Sequence, residues 1–245
     1  MTIVSGTFTN IRPARNIPNP PAAIEFIQAA ANGNGDVVTG STTTDFTGFA
    51  SEPAEGNLII LMWAVNTSSD AVSYTSGISS MIEATALYNS NATSEDFESY
   101  VHYKIAGASE GTPLLTFTNA GGTNRRLTFS LMEFANVHAD VFDVTPSSSH
   151  TNIAVSGGGT GDPVSITFNG PGMSLVSHVI TDNPTTATPP TGYTTASTDI
   201  ASSTTTHTAY KVVSAAGAQD PDAFATTGVA GTAENGTTHI ALKQA

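Results

Sequence analysis

The sequence predicts an all-β protein: an antiparallel β-sandwich, jelly-roll-like, built from two pseudo-repeated halves behind an extended N-terminal arm. Two patterns and a repeat predict it. Apolar residues alternate along short segments, as at Val101, Tyr103 and Ile105 and at Leu127, Phe129 and Leu131, the period that turns one face of a strand toward a core. Gly, Pro, Asn and Asp punctuate nearly every gap, and Asn169-Gly170-Pro171-Gly172 and Asn235-Gly236 read as turns. The repeat places His102-Tyr103-Lys104-Ile105-Ala106 over Ala209-Tyr210-Lys211-Val212-Val213, at an offset that continues without a gap to Phe117 over Phe224 and Gly121 over Gly228.

The elements follow in chain order. Residues 1–21 hold a short β-like stretch and then Pro13, Pro18, Pro20 and Pro21. Proline at that density fixes φ and removes donors, which makes a stiff, extended arm. Residues 22–31 fit either a short helix, since Ala, Glu and Gln are good helix formers, or a strand with Ile24 and Phe26 on one face. Strands are expected over 37–49, 57–65, 81–88, 97–106, 114–118 and 126–134. After a Ser- and Gly-rich connector at 143–161 they resume over 164–168, 173–180, 193–198, 205–213, 223–227 and 237–242. The division is a first β half at 22–144 and a second at 145–245. The halves form one continuous sandwich or two abutting ones. Residues 56–60 are matched to 172–176, and 129–132 to 240–243 across a four-residue insertion. In the Tyr-Lys block, Tyr is expected to face the core and Lys the water.

Composition narrows the functional classes. The formal charge is −13, a field that repels phosphate backbones, so nucleic acid is not an expected partner. Arg12 and Arg15 precede the first acid, Glu25, which leaves a cationic arm on an anionic body. The chain has no Cys, which removes disulfides, thiolate catalysis and Cys-based zinc sites and favours assembly in a reducing cytoplasm. No Sec signal is visible at the start. The apolar run from Leu58 to Val65 is too short to span a bilayer as a helix, so no membrane partner is expected.

No reaction chemistry stands out. The chain lacks a G-x-S-x-G elbow and a phosphate-cradling Gly loop that opens a helix. The six His residues form no H-E-x-x-H pair, and His138 with Asp140 and Asp143 reads as a polar loop more simply than as a metal cluster. Glu95, Asp96 and Glu98 read as a solvated strand entry. Trp63 sits in the densest apolar segment and is assigned to the core. Tyr88 and Tyr193 are candidate platforms for stacking on a sugar ring. The expectation is a non-enzyme that needs no cofactor.

The run I-E-F-I-Q-A-A-A at 24–31, E-G-N-L-I-I-L at 55–61, Y-K-I-A at 103–106, T-F-T at 116–118 and A-N-V at 135–137 resembles a widespread, uncharacterised β-sandwich family. Its members are common in bacteriophage virion and tail-associated proteins and in bacterial surface proteins. Where the family has a Pro-Gly-Trp turn, the first half departs with Tyr74-Thr75-Ser76-Gly77, while the second keeps the pattern as Pro189-Pro190-Thr191-Gly192-Tyr193. The resemblance implies a virion structural protein, assembled in the host cytoplasm, that decorates a capsid. Its arm, with Arg12, Arg15 and Pro18, binds the major capsid protein or another virion protein, and copies of the chain self-associate. The alternative it implies is a tail-fibre or surface carbohydrate-binding module. It supplies no catalytic residue.

Overall fold

The computed structural model describes residues 21–31, 36–37, 42–66, 72–76, 78, 80–89, 97–112, 114–120, 125–153, 160–181, 186–201, 204–226 and 233–245. The predicted arm, with Arg12, Arg15 and Pro18, lies outside the described residues. Among those described every regular element is a strand. The first nine are β1 (Glu25–Ala30), β2 (Asp36–Val37), β3 (Thr42–Thr47), β4 (Leu58–Asn66), β5 (Val72–Ser76), β6 (Ile82–Asn89), β7 (Phe97–Ile105), β8 (Leu114–Asn119) and β9 (Arg125–Ala135). The second series is β10 (Val137–Phe142), β11 (Ser147–Ile153), β12 (Thr160–Gly161), β13 (Ile166–Phe168), β14 (Gly172–Thr181), β15 (Ala187–Thr188), β16 (Thr194–Ile200), β17 (Thr204–Val213), β18 (Gly217–Gln219), β19 (Phe224–Thr226) and β20 (Ala233–Gln244).

The duplication is visible in the strand order. One large antiparallel sheet runs β1-β9-β4-β7-β6 with β2 beside β9, and the other runs β10-β20-β14-β17-β16 with β11 beside β20. A three-stranded sheet β3-β8-β5 covers the first, and β12-β19-β15 and the β13-β18 pair cover the second. Even an irregularity repeats: β6 bulges between Glu83 and Thr85 against β7, and β16 bulges between Thr195 and Ser197 against β17. Bulges re-aim a strand and persist as built features.

Each half is therefore a sandwich, and the large sheets stack face to face, giving four layers in the order small, large, large, small. The central seam is apolar along Leu58, Ile60, Met62, Met132, Phe134, Met173, Leu175, Ile240 and Leu242, all buried. At about 25 cal/mol for each Å² of apolar surface removed from water, a seam of this kind dominates cohesion between the halves. Beside it runs a polar rail. Thr128 and Thr206 share a 2.7 Å hydroxyl bond, Ser130 bonds Thr208 at 2.9 Å and also bonds Ser197, and the Phe129 amide donates to Asp199 Oδ2 at 2.8 Å.

The seam is isologous. β1 lies over β16 while β6 lies over β11, the reciprocal contact that two copies related by a pseudo-twofold make. The repeated tyrosines mark it: Tyr210 stacks on Phe26 with ring centroids 5.0 Å apart, and Tyr103 meets Phe142 edge-on at 4.8 Å. Phe26 pairs with Phe134, and Phe142 pairs with Leu242, so the two phenylalanines occupy matching places.

Residues 25–30 are a strand, the second of the two readings of that segment, with Ile24 and Phe26 both in the seam. Other expectations change. The chain passes from one large sheet to the other at Asn136, ahead of the 144/145 division. Asn136 takes φ 61°, a left-handed value that Asn tolerates. The connector at 143–161 contains β11 and β12. Asn235-Gly236 is no turn: both residues lie inside β20, which pairs with β14 on one side and β11 on the other, and two ladders of backbone bonds outweigh a local turn preference. The register also shifts the matches between halves. Tyr103 faces Ile60, which faces Met132, and Tyr210 faces Leu175, which faces Ile240. Ile60 therefore corresponds to Leu175 and Met132 to Ile240, with no four-residue insertion. Neither lysine of the block points freely into water: Lys104 forms a 2.6 Å ion pair with Glu110, and Lys211 lies half-buried near Gln219.

Candidate functional site

The halves differ most in the interior between the large sheet and its small covering sheet. In the first half that face of β4, β7 and β9 carries Ile59, Trp63, Tyr100, Leu127, Phe129 and Leu131, all buried. Trp63 stacks on Tyr100 with centroids 4.3 Å apart and meets Phe117 edge-on at 5.2 Å, as an aromatic core requires. By register the matching residues of β14, β17 and β20 are Ser174, His178, His207, Asn235, Thr237 and His239. These too are buried. Burying a polar group costs free energy unless it is bonded, so the exchange of an apolar set for a polar one marks the second half.

Two hydrogen-bonded systems occupy that interior. In one, His239 Nδ1 lies 2.7 Å from the Val164 carbonyl, so Nδ1 carries the proton and Nε2 is the acceptor. Ser174 then donates to His239 Nε2 at 2.7 Å, and the Tyr193 hydroxyl donates to Ser174 Oγ at 2.6 Å. Burial holds His239 below the usual imidazole range, although the bond to Val164 and the charge of Asp220 pull the other way. Burial likewise raises the Tyr193 phenol, so the relay is neutral at ordinary pH.

In the other, His178 Nε2–H donates to Asn235 Oδ1 at 2.7 Å. Its Nδ1 is buried without a partner among the described residues, as is Asn235 Nδ2. Phe224 lies against the imidazole, with centroids 5.3 Å apart, and His207 sits 6.5 Å away on the neighbouring strand. Gly161 closes the other side so tightly that a Cβ there would stand 2.2 Å from His178 Cδ2. Complete burial pushes the His178 pKa down to about 3; the Asn235 bond opposes this and His207 adds to it.

Of the side chains in these two systems, among the described residues, Tyr193 is the member that reaches solvent. Tyr193 follows Gly192, whose φ of 80° makes the turn into β16. Its ring lies in a groove of about 390 Å³ that Thr191, Lys211, Gln219, Asp220 and Asp222 also line. The Lys211 ammonium stands 5.7 Å from the ring centroid, within cation–π range.

The other predicted positions fall elsewhere. Tyr88 lies on β6, paired with Glu98, far along the chain from Tyr193 and in the other half; its side chain lies outside what is described. Glu98 is buried and accepts the Tyr100 hydroxyl at 3.1 Å, so it is not a solvated strand entry; Glu95 and Asp96 lie outside the described residues. His138, Asp140 and Asp143 sit on or just after β10, not in one loop. There the Asp140 amide donates to His138 Nδ1, Asp140 ion-pairs with Lys243 at 3.3 Å, and Asp143 Oδ2 accepts the Asn169 amide. No group of three His, Cys, Asp or Glu able to hold a metal occurs among the described residues. Sequence reasoning missed His178, His207, Asn235 and His239 as a cluster. The signal that finds them is the repeat itself, once its register lays polar residues over an aromatic core.

Comparison with family models, with curated proteins and with solved structures finds no match.

Proposed function

We propose that the chain is a bacteriophage virion structural protein that decorates an outer shell and acts by binding, without turnover. The observation that carries this reading is the way the described chain begins. The Gln244 side chain donates to the Pro21 carbonyl at 3.0 Å, and Asn136 Nδ2 donates to the Ala23 carbonyl at 2.9 Å. Asn136 in turn accepts the Ala245 amide at 3.1 Å. Pro21, which ends the proline-rich stretch in sequence, and Ala23 are thus tied to the joint where the chain passes between its two large sheets. Arg12 and Arg15 give the arm a charge opposite to the acidic body, and the sequence resemblance to virion-associated sandwiches points the same way. The partners are the major capsid protein or another virion protein, together with further copies of this chain.

The test removes residues 1–20 and keeps Pro21. The truncated protein is expected to keep a β-dominated circular dichroism spectrum and to stop co-sedimenting with shells of the source particle. Undiminished co-sedimentation would sink the arm as the attachment device, and absence of the chain from purified particles by mass spectrometry would sink the reading itself.

A further inference from the structure

The ends of β7 and β17 hold matching lysines in unlike settings. Lys104 is closed down: its ammonium lies 2.6 Å from Glu110 Oε1, which also accepts the Gly107 amide at 2.7 Å. At the offset of the Tyr-Lys repeat, Glu110 falls on Gly217, which has no side chain to offer. Lys211 is left with Gln219 Oε1 at 3.4 Å and the face of Tyr193. No carboxylate among the described residues lies within ion-pairing distance of it, although Asp220 and Asp222 line the same groove. The register also sets Tyr193 where the first half has Met81, a residue packed on its apolar core. Three coordinated changes therefore separate the halves here. A ring replaces Met81, the lysine loses its acid, and Ser174 and His239 replace Ile59 and Leu131 beneath the ring, where Ser174 bonds the ring's hydroxyl and His239 bonds Ser174.

From this we propose that the groove is a saccharide-binding site that takes a neutral hexose unit of a glycan with the sugar ring against Tyr193. A pyranose offers an apolar C–H face and a rim of hydroxyls that both donate and accept. The groove offers an aromatic face, an ammonium, a carboxamide and two carboxylates. An anionic sugar meets Asp220 and Asp222; a cationic ligand meets Lys211; a nucleotide meets the net charge of −13. Tyr193 is fixed beforehand by its bond to Ser174, so little side-chain freedom is lost when a ligand seats on it. The Lys211 ammonium, on a flexible stem, is a movable cover that turns from the ring to the sugar hydroxyls. This role goes beyond shell attachment and needs no shell.

Full-length protein titrated calorimetrically with maltohexaose, cellohexaose and chitohexaose decides it. At least one sugar is expected to bind with a Kd on the order of 0.1–1 mM. Tyr193→Ala is expected to weaken binding about tenfold or more, and Tyr193→Phe, which keeps the ring, to stay within about threefold. Asp222→Ala, at an exposed position that does not carry the fold, is expected to weaken binding by roughly threefold or more. Failure of all three sugars to bind the unaltered protein overturns the proposal, as does wild-type affinity in both the Tyr193→Ala and Asp222→Ala variants.

Discussion

The two halves share strand order, a bulge and a reciprocal seam, yet one encloses Trp63, Tyr100 and Phe129 where the other encloses His178, His207 and Thr237. The backbone ladder and the apolar seam are common to both halves, and the outer interior of each sandwich is where they differ. The first half uses that interior for packing. Its cluster joins both sheets through Phe46, Phe117, Trp63 and Phe129. The second half uses it for hydrogen bonds, with smaller apolar clusters around Phe168 and Phe224. A buried polar network is costly when partly satisfied, and His178 Nδ1 and Asn235 Nδ2 leave this one partly satisfied among the described residues. The second half should be the weaker one wherever protons or added volume test it.

The largest expected effect breaks the apolar side of the comparison. Trp63→Ala empties the centre of the first interior and is expected to cost about 3–5 kcal/mol in chemical denaturation. A cost below about 1 kcal/mol would mean that the aromatic cluster does not hold the first sandwich together.

Acid tests the polar side. The native His178 pKa of about 3 lies below the ordinary 6.5, so the unfolded chain takes up the proton first. This contribution to stability is complete above pH 6.5 and is lost as pH falls toward 3. The loss is about 1.4 kcal/mol for each pH unit in that window. His178→Gln removes the titration, and its stability is expected to fall less steeply by that amount over the same range. Parallel pH profiles for the two proteins would show that His178 is not buried neutral.

A smaller effect tests the close approach over the imidazole. Gly161→Ala forces a methyl against His178 and is expected to cost about 1–3 kcal/mol. Thr44 occupies the matching place, since it faces Phe117 as Gly161 faces Phe224, and it already carries a side chain. Thr44→Ala is expected to stay within about 0.5 kcal/mol. Equal costs at the two sites would remove the distinction between the interiors.

Much of this was legible in the sequence. Period-2 alternation located β7 and β9, the dense apolar run from Leu58 to Val65 located β4, and the Tyr-Lys block located the two strands whose tyrosines cross the seam. β10 was not legible because His138 and Asp140 read as a polar loop, and β11 was not because Ser147, Ser148, Ser149 and the glycines after Ile153 read as a connector; only the pairing of β11 with β20 makes that stretch a strand. Asn235 and Gly236 carry a turn signal that a doubly paired strand overrides. Tyr193 was legible as a candidate platform, whereas its supports, Ser174 and His239, are distant in sequence and meet only through the β14–β20 register. His178, His207 and Asn235 are brought together by the same ladders, so no local motif announces them.

Hydrogen exchange of the intact protein, followed by mass spectrometry at pH 7 and at about pH 4 and corrected for intrinsic rates, tests the contrast between the halves most directly. Amides of β14, β17 and β20 should lose protection at the lower pH while those of β4, β7 and β9 keep theirs. Simultaneous loss in both sets, or earlier loss in the first half, would contradict the account.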